Sequence, residues 1–437
     1  LHSVSLLNDF LSNEDEDIKI QIIQKSTNKA IISLLSTVGL ILLVLVIVAI
    51  PLFLYALLFH VSYEALDLTS FYAILAISLG ATIPFLLPYK KKRNHSYSEL
   101  SQLLHHLALD NYNLSHALFK HEIRSIQKKQ VDQKEMFVVV SGLARAGTTS
   151  LMNALSEVQD FVSLNYGNMP FLLSPNIWAK FYRPKQGKTK ERSHKDGIQI
   201  GLNSNEALEE YFFKVKANDG FILDDALQPY NLSEEDYQDY LKYQAIIRRN
   251  NQKTYLAKNN NFLLRYDSVR SFNDAFLMVI LFRDPITHAA SLREKHSEYS
   301  EMQREDPFVL EYMDWLGHHE FGRHHKPFSF PSRKMEHSYT AMDLNYWLVR
   351  WIEFYSYVLT IHHDNTVLFN YTTYCIQPNE TVAYIVNKIG LSATIPEFKP
   401  FKNTRRSDEI VSPDLLEEAE RIYRKLNDRS VQFDRAQ

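Results

Sequence analysis

The sequence predicts an α/β domain, P-loop-like, with three layers around a central, mainly parallel sheet and a two-helix transmembrane hairpin ahead of it. Three observations carry this. Two long uncharged runs lie before Lys90, an apolar strand (Phe137 to Val140) enters a glycine loop and then a helix, and a second apolar strand (Phe276 to Phe282) ends at Arg283-Asp284-Pro285. Hydrophobic residues make up 45% and charged residues 23% of the 437, which excludes a wholly disordered or collagen-like chain. Forty-eight Lys+Arg against 51 Asp+Glu leave a net charge of -3, so no overall basic excess calls for a nucleic-acid partner. The single cysteine, Cys375, excludes an internal disulfide framework and a cysteine-rich zinc module, and fits a reducing compartment.

The hairpin comes first. Ala30 to Phe59 contains no charged residue, and neither does Leu68 to Tyr89; the linker between them is HVSYEALD. At about 1.5 Å per residue even the shorter run reaches roughly 33 Å, enough to cross a hydrocarbon layer of about 30 Å. The first run is too long for a signal peptide and is followed by another. Lys19, Lys25 and Lys29 precede the first span, Lys90, Lys91, Lys92 and Arg93 close the second, and the linker carries only Glu64 and Asp67. That asymmetry predicts both termini, and the domain that follows, on the cytoplasmic side. Five Asn-x-Ser/Thr triplets, at Asn94, Asn113, Asn231, Asn370 and Asn379, are what an asparagine-rich chain produces by chance. The predicted organisation is 1–29 cytoplasmic, 30–89 hairpin, 90–134 basic and helical connector, and 135–437 catalytic domain. Residues 96–130 read as helical, with Leu100, Leu103, Leu104 and Leu107 on one face.

The stretch MFVVVSGLARAGTTSLMNALSEV is a strand–loop–helix anion site. Gly142 and Gly147 bracket four residues, and the loop N–H groups and the helix start supply positive potential. A Walker A loop would continue with Lys; here Thr148, Thr149 and Ser150 follow, and the cation, Arg145, sits inside the loop. The lysine that spans β- and γ-phosphates is missing, which argues against ATP or GTP. Downstream, Arg283 ends the second strand and Ser291 follows on the next helix. An arginine at a strand's carboxyl end is placed to grip a phosphate bidentately.

Together these stretches resemble the sulfotransferases that use 3′-phosphoadenosine 5′-phosphosulfate (PAPS). Arg145-Ala146-Gly147-Thr148-Thr149 is similar to the family's 5′-phosphosulfate loop [KR]-S-G-T-T, with Ala146 in place of the serine. Arg283 and Ser291 are similar to its 3′-phosphate motif. The resemblance covers roughly residues 136 to 437. It implies PAPS as sulfuryl donor, no metal, and cofactor contacts from Arg145, Ala146, Gly147, Thr148, Thr149, Ser150, Arg283, Ser291 and, in FKNTRRSD, Lys402 and Arg405. It also implies that Lys258, at the end of the strand in NQKTYLAKNNNF, touches the transferred group together with Arg145.

The family's base is a Glu or His, but no acid follows the second strand (Phe161 to Leu164), and Asn259 follows Lys258. The expected base is therefore His194 or Asp196 in SHKDG, or Glu206 in NSNEALEE; an imidazole suits proton abstraction near neutrality. Histidines 318, 319, 324 and 325 around Glu320 match no zinc spacing and read as a surface loop or substrate lid. YWLVRWIEFYSY, from Tyr346, reads as a core helix. The expected acceptor is a hydroxyl or amine of a lipid, glycan or small molecule at the bilayer. Two other readings compete: a P-loop nucleotide kinase, for which Phe221 to Asp225 (FILDD) would be the Walker B strand, and a membrane-tethered nucleotide-binding domain without catalysis.

Overall fold

The computed structural model describes residues 32, 99–182, 190–191, 199–200, 207–331, 334–402, 407 and 409–433. Apart from Ile32, both uncharged runs lie outside the described residues, as do His194, Asp196, Glu206 and Arg405. Among the described residues no helix is long and apolar enough to cross a membrane. The chain divides into two compact units, Leu1–Asn113 and Leu114–Gln437.

The helical connector is two helices rather than one, α1 (Glu99–Leu109) and α2 (Tyr112–Lys128), interrupted at Asp110-Asn111, residues whose side chains compete with helical backbone bonds. The second unit follows with β1 (Phe137–Ser141), α3 (Thr148–Ser156), β2 (Phe161–Val162), α4 (Pro175–Phe181), α5 (Glu210–Ala217) and α6 (Glu234–Arg248). Then come β3 (Thr254–Lys258), α7 (Tyr266–Phe272), β4 (Leu277–Phe282), α8 (Pro285–Glu305) and α9 (Pro307–Trp315). It ends with α10 (Leu344–Val358), β5 (Thr366–Asn370), α11 (Tyr371–Ile376), α12 (Pro378–Lys388) and α13 (Pro413–Arg429). A separate short antiparallel ladder pairs Lys190–Glu191 with Gln199–Ile200.

The five strands form a sheet in the order β2-β3-β1-β4-β5, parallel at every pairing. Strands buried on both faces must be apolar throughout, which is why FVVVS and LMVILF read as continuous runs. Alternation then sorts their side chains into two layers. Val138, Val140, Leu256, Val279 and Phe369 pack against Leu151 and Leu155 of α3 and Val382 and Ile385 of α12. On the opposite face Phe137 meets Tyr240 of α6, and Phe282 meets Tyr355 of α10 and Tyr423 of α13. The chain leaves β1 toward β2 on one side and leaves β4 toward β5 on the other. Such a reversal opens a crevice outside the carboxyl ends of the two adjacent strands.

Two expectations are corrected here. The second strand is only two residues long, Phe161–Val162. Phe221 to Asp225 is not a sheet strand: Ile222 bridges Leu227, Leu223 N–H donates to Ala226 O at 2.8 Å, and Asp224 and Asp225 stand exposed at the tip. Without a strand to deliver an acid to the sheet's carboxyl edge, a Walker B role for FILDD falls.

Candidate functional site

The loop after β1 takes its shape from two glycines. Gly142 (φ 145°) lies where a Cβ would stand 2.7 Å from Leu281 O, and Gly147 (φ 102°) where a Cβ would stand 2.2 Å from the Tyr371 ring. Between them Ala146 N–H donates to Leu143 O at 3.0 Å, closing a turn that carries Arg145 at φ 72°. A non-glycine residue in that region is strained, and it persists only where surrounding contacts hold it. Ala146 is fully buried in the core beneath the loop, so a methyl suits the position and a serine hydroxyl would need a partner there. Thr148 starts α3, the helix whose first-turn N–H groups point along the axis toward the loop.

The helix after β4 holds this loop in place. Asp284 caps α8 by accepting from Thr287 N–H at 2.8 Å, and Pro285 opens it, which explains the R-D-P run after the strand. Along one face, His288 Nε2–H donates to Ala144 O at 2.7 Å, and Ser291 Oγ accepts from Arg145 Nε at 3.2 Å. Complete burial drives the His288 pKa down to about 3, so the ring is neutral and its proton sits on the nitrogen that faces Ala144. Arg283 is almost entirely buried, its guanidinium 5.2 Å from the centroid of the Tyr371 ring, the ring that closes on Gly147. Arg145, Gly147, Thr148, Arg283 and Ser291 thus share one edge, that of β1 and β4.

Lys258 stands at the carboxyl end of β3, in register with Val140 of β1, and is 7% exposed. The turn after it is pinned: Asn259 N–H donates to Val140 O at 3.0 Å, and Asn259 Nδ2 donates to Glu209 Oε2 at 3.0 Å. Glu209 also accepts from Tyr240 and Tyr255, yet burial still pushes its pKa up. Ser150 Oγ lies 3.4 Å from Tyr374 Oη. Lys402 is exposed and follows Phe401, whose N–H donates to Cys375 O and whose ring meets those of Tyr371 and Tyr374. Burial pushes the Cys375 thiol up to about 11, which leaves it no role as a nucleophile.

Solved structures similar to this chain include three sulfotransferases. One, from Mycobacterium tuberculosis, is 14% identical over 68% of this chain and 78% of that one, with a TM-score of 0.39. One from Mycobacterium avium is 11% identical over 84% and 90%, with a TM-score of 0.35, and one from Alicyclobacillus acidocaldarius is 14% identical over 67% and 93%, with a TM-score of 0.29. No family model and no curated protein matches the sequence.

The histidine cluster is a surface loop only in part: the His324 side chain is 51% exposed and that of His318 18%, while the other two are covered. His319 is 4% exposed and its Nδ1–H donates to His324 O at 3.1 Å. His325 Nδ1–H donates to His319 O at 3.0 Å while its Nε2 accepts from Tyr346 Oη at 2.9 Å. Burial drives these two pKa values down to about 3 and about 4. Among the described residues no group of three His, Cys, Asp or Glu side chains is placed to hold a metal ion. Sequence reasoning also passed over His288 and Tyr371; the alignment of His288 with Ser291 on one helix face was the available signal for the first.

Proposed function

We propose that this protein is a sulfotransferase that moves the sulfuryl group of PAPS to a hydroxyl or amine of an acceptor at a membrane. The observation that carries this reading is the pair of contacts from α8 to the β1 loop, His288 to Ala144 and Ser291 to Arg145. Through them the two anion-binding stretches form one built edge, the arrangement that a donor with anions at two separated ends requires. The loop fits a phosphosulfate better than a triphosphate, since position 148 is a buried threonine and the cation comes from Arg145.

In this reading Arg283 and Ser291 hold the 3′-phosphate, and the loop 145–150 holds the 5′-phosphosulfate. Lys402 and Arg405 are the candidates for the last cofactor contacts. PAPS is a substrate, consumed at each turnover. As sulfur is attacked, negative charge grows on the bridging and equatorial oxygens, and Arg145, Lys258 and the α3 start stabilise that growth more than the ground state. Lys258, nearly buried, acts where water screens it least.

The hairpin of residues 30–89 would tether the domain to the inner face of the plasma membrane, with a bilayer as partner and a lipid or glycan acceptor within reach. Two of the five Asn-x-Ser/Thr triplets are engaged in the fold. Asn370 Nδ2 donates to Tyr423 Oη and Asn427 Oδ1, and Asn379 exchanges hydrogen bonds with the Phe398 backbone.

The test is ligand protection of the full chain in detergent. Adenosine 3′,5′-bisphosphate should raise the melting temperature and Mg-ATP should not; protection by Mg-ATP alone would return the kinase reading. Gene loss should then leave metabolites lighter by one SO3 unit.

A further inference from the structure

The end of α9 sets a histidine–carboxylate pair beside Lys258. Gly317, at φ 67°, turns the chain out of the helix: its N–H donates to Asp314 O at 3.1 Å and His318 N–H donates to Met313 O at 2.9 Å. This is the two-bond stop that favours glycine in the left-handed region, and here it fixes where His318 emerges. The segment is then fastened to the exit of β3. Asn261 Nδ2 donates to Gly317 O at 3.0 Å, and Asn260 Nδ2 donates to Glu320 Oε1 at 3.3 Å.

His318 Nδ1 lies 3.4 Å from Glu320 Oε1. A carboxylate there assigns the proton to Nδ1 and leaves the Nε2 lone pair available. The His318 side chain is 18% exposed against 8% for Glu320, so the acid is covered and the imidazole is reachable. Glu320 also lines, with Leu143 of the anion loop, a cleft walled by Leu292, Phe328, Trp347 and Arg350. Through Glu320 the pair is tied both to the exit of β3, at Asn260, and to the cleft that Leu143 also lines. Burial alone would raise the Glu320 pKa, but His318, its own backbone and Lys258 hold it down at about 2, so it stays a carboxylate.

We propose that His318 is the base that takes the acceptor's proton, and that Glu320 is the residue that positions it. The assignment rests on the sulfotransferase reading. In the step, the acceptor oxygen or nitrogen bonds to sulfur while the bond from sulfur to the 5′-phosphate oxygen of PAPS breaks. The electron pair leaves with adenosine 3′,5′-bisphosphate, and the acceptor proton passes to His318 Nε2, making an imidazolium next to the Glu320 carboxylate. Lys258 from β3 and His319 and His325 from its own segment interact with Glu320, and Lys326, with Arg350 and Glu353 from α10, lines the same cleft. Of these, His319 and His325 are held neutral by burial through the neutral range.

The experiment measures radiolabelled sulfuryl transfer by the full chain from PAPS to phenol, to 4-nitrophenol and to water, with adenosine 3′,5′-bisphosphate protection measured alongside. A positioned base contributes about 10²- to 10⁴-fold. His318→Ala should lower kcat toward phenol by about 100-fold, the low end of that range, and remove the acid limb of the pH–rate profile. Ligand protection should be unchanged, added imidazole should restore part of the rate, and 4-nitrophenol above its own pKa should lose far less. Glu320→Gln should cost about tenfold toward phenol, a fraction of a base's full contribution. His318→Gln keeps the question open to decision if the alanine variant is poorly folded. Wild-type rates in both His318 variants, an equal loss toward both phenols, or loss of the acid limb on His194→Ala instead would overturn the assignment. A wild-type chain that is protected by the bisphosphate but sends sulfate to no acceptor, water included, overturns the sulfotransferase reading, and this assignment with it.

Discussion

Tyr371 occupies the space that a side chain at Gly147 would need: a Cβ there would stand 2.2 Å from Cδ2 and 2.3 Å from Cε2. The same ring lies under the Arg283 guanidinium. Through one aromatic ring from the end of β5, the glycine of the first anion stretch and the arginine of the second are held to a common distance. Gly147→Ala therefore meets both a steric overlap and a left-handed φ of 102°, the second alone costing about 1–3 kcal/mol. A melting temperature lower by several degrees is expected, with weaker bisphosphate binding as the displaced loop N–H groups lose the ligand. Tyr371→Ala added to it should recover the overlap term but not the backbone term, which a double-mutant cycle in melting temperature would resolve.

Arg283→Ala should raise the dissociation constant of adenosine 3′,5′-bisphosphate by about ten- to a hundredfold, the effect of losing a charge-assisted contact of about 1.5–3 kcal/mol. With AMP, which lacks the 3′-phosphate, the same variant should lose little. Calorimetric titration of both nucleotides separates the two, and an unchanged constant removes Arg283 from the site.

The buried histidines make the fold acid-labile. In the unfolded chain each titrates near 6.5, while burial holds folded His288 and His319 at about 3 and His325 at about 4. The unfolded state binds the extra protons, so this stability is complete above pH 6.5 and is lost as pH falls toward the folded values. Each histidine contributes a slope of about 1.4 kcal/mol per pH unit inside that window. His288→Asn should remove one histidine's share of the slope in urea denaturation measured at stepped pH. A slope unchanged from wild type would mean that His288 is already protonated in the fold.

Beneath the site, Arg265 Nη1 and Nη2 donate to the two Glu210 oxygens at 2.5 and 2.7 Å, with Phe213, Phe221 and Tyr230 around the guanidinium. Both side chains are buried, so breaking the pair strands a charge, a loss of about 3–5 kcal/mol. Arg265→Met should unfold at correspondingly lower urea. Arg265→Met with Glu210→Leu should regain much of the loss, because an apolar replacement of the whole pair leaves no charge behind. Glu210 also abuts Gly317, so the single variant should loosen the segment that carries His318.

The elements that could be read in advance are the ones whose signal is local. FVVVSG and MVILFRDP announce buried strands ending in a glycine loop and in an arginine turn because a strand covered on both faces has to be apolar along its length and a tight loop needs glycine. In the histidine segment the burial of His319 and His325 was hidden for the complementary reason, while His324 is exposed as its composition suggests. Polar residues in a run look solvated unless it is known what packs on them, and His319 and His325 are covered by backbone carbonyls and by Tyr346. Glu209 was passed over although its neighbour Glu206 was considered, since nothing in NSNEALEE tells that Tyr240, Tyr255 and Asn259 converge on one of its acids.

Composition and periodicity by themselves determined the uncharged runs, the two apolar strands, the glycine loop and the arginine that ends the second strand, since each depends on residues adjacent in the chain. The tertiary structure alone decided that α8 clasps the loop through His288 and Ser291, that Tyr371 joins Gly147 to Arg283, and that His318 and Glu320 stand beside Lys258. Those are contacts between segments far apart in sequence, selected by how helices and strands cover one another's apolar faces, and no local pattern encodes which partner arrives.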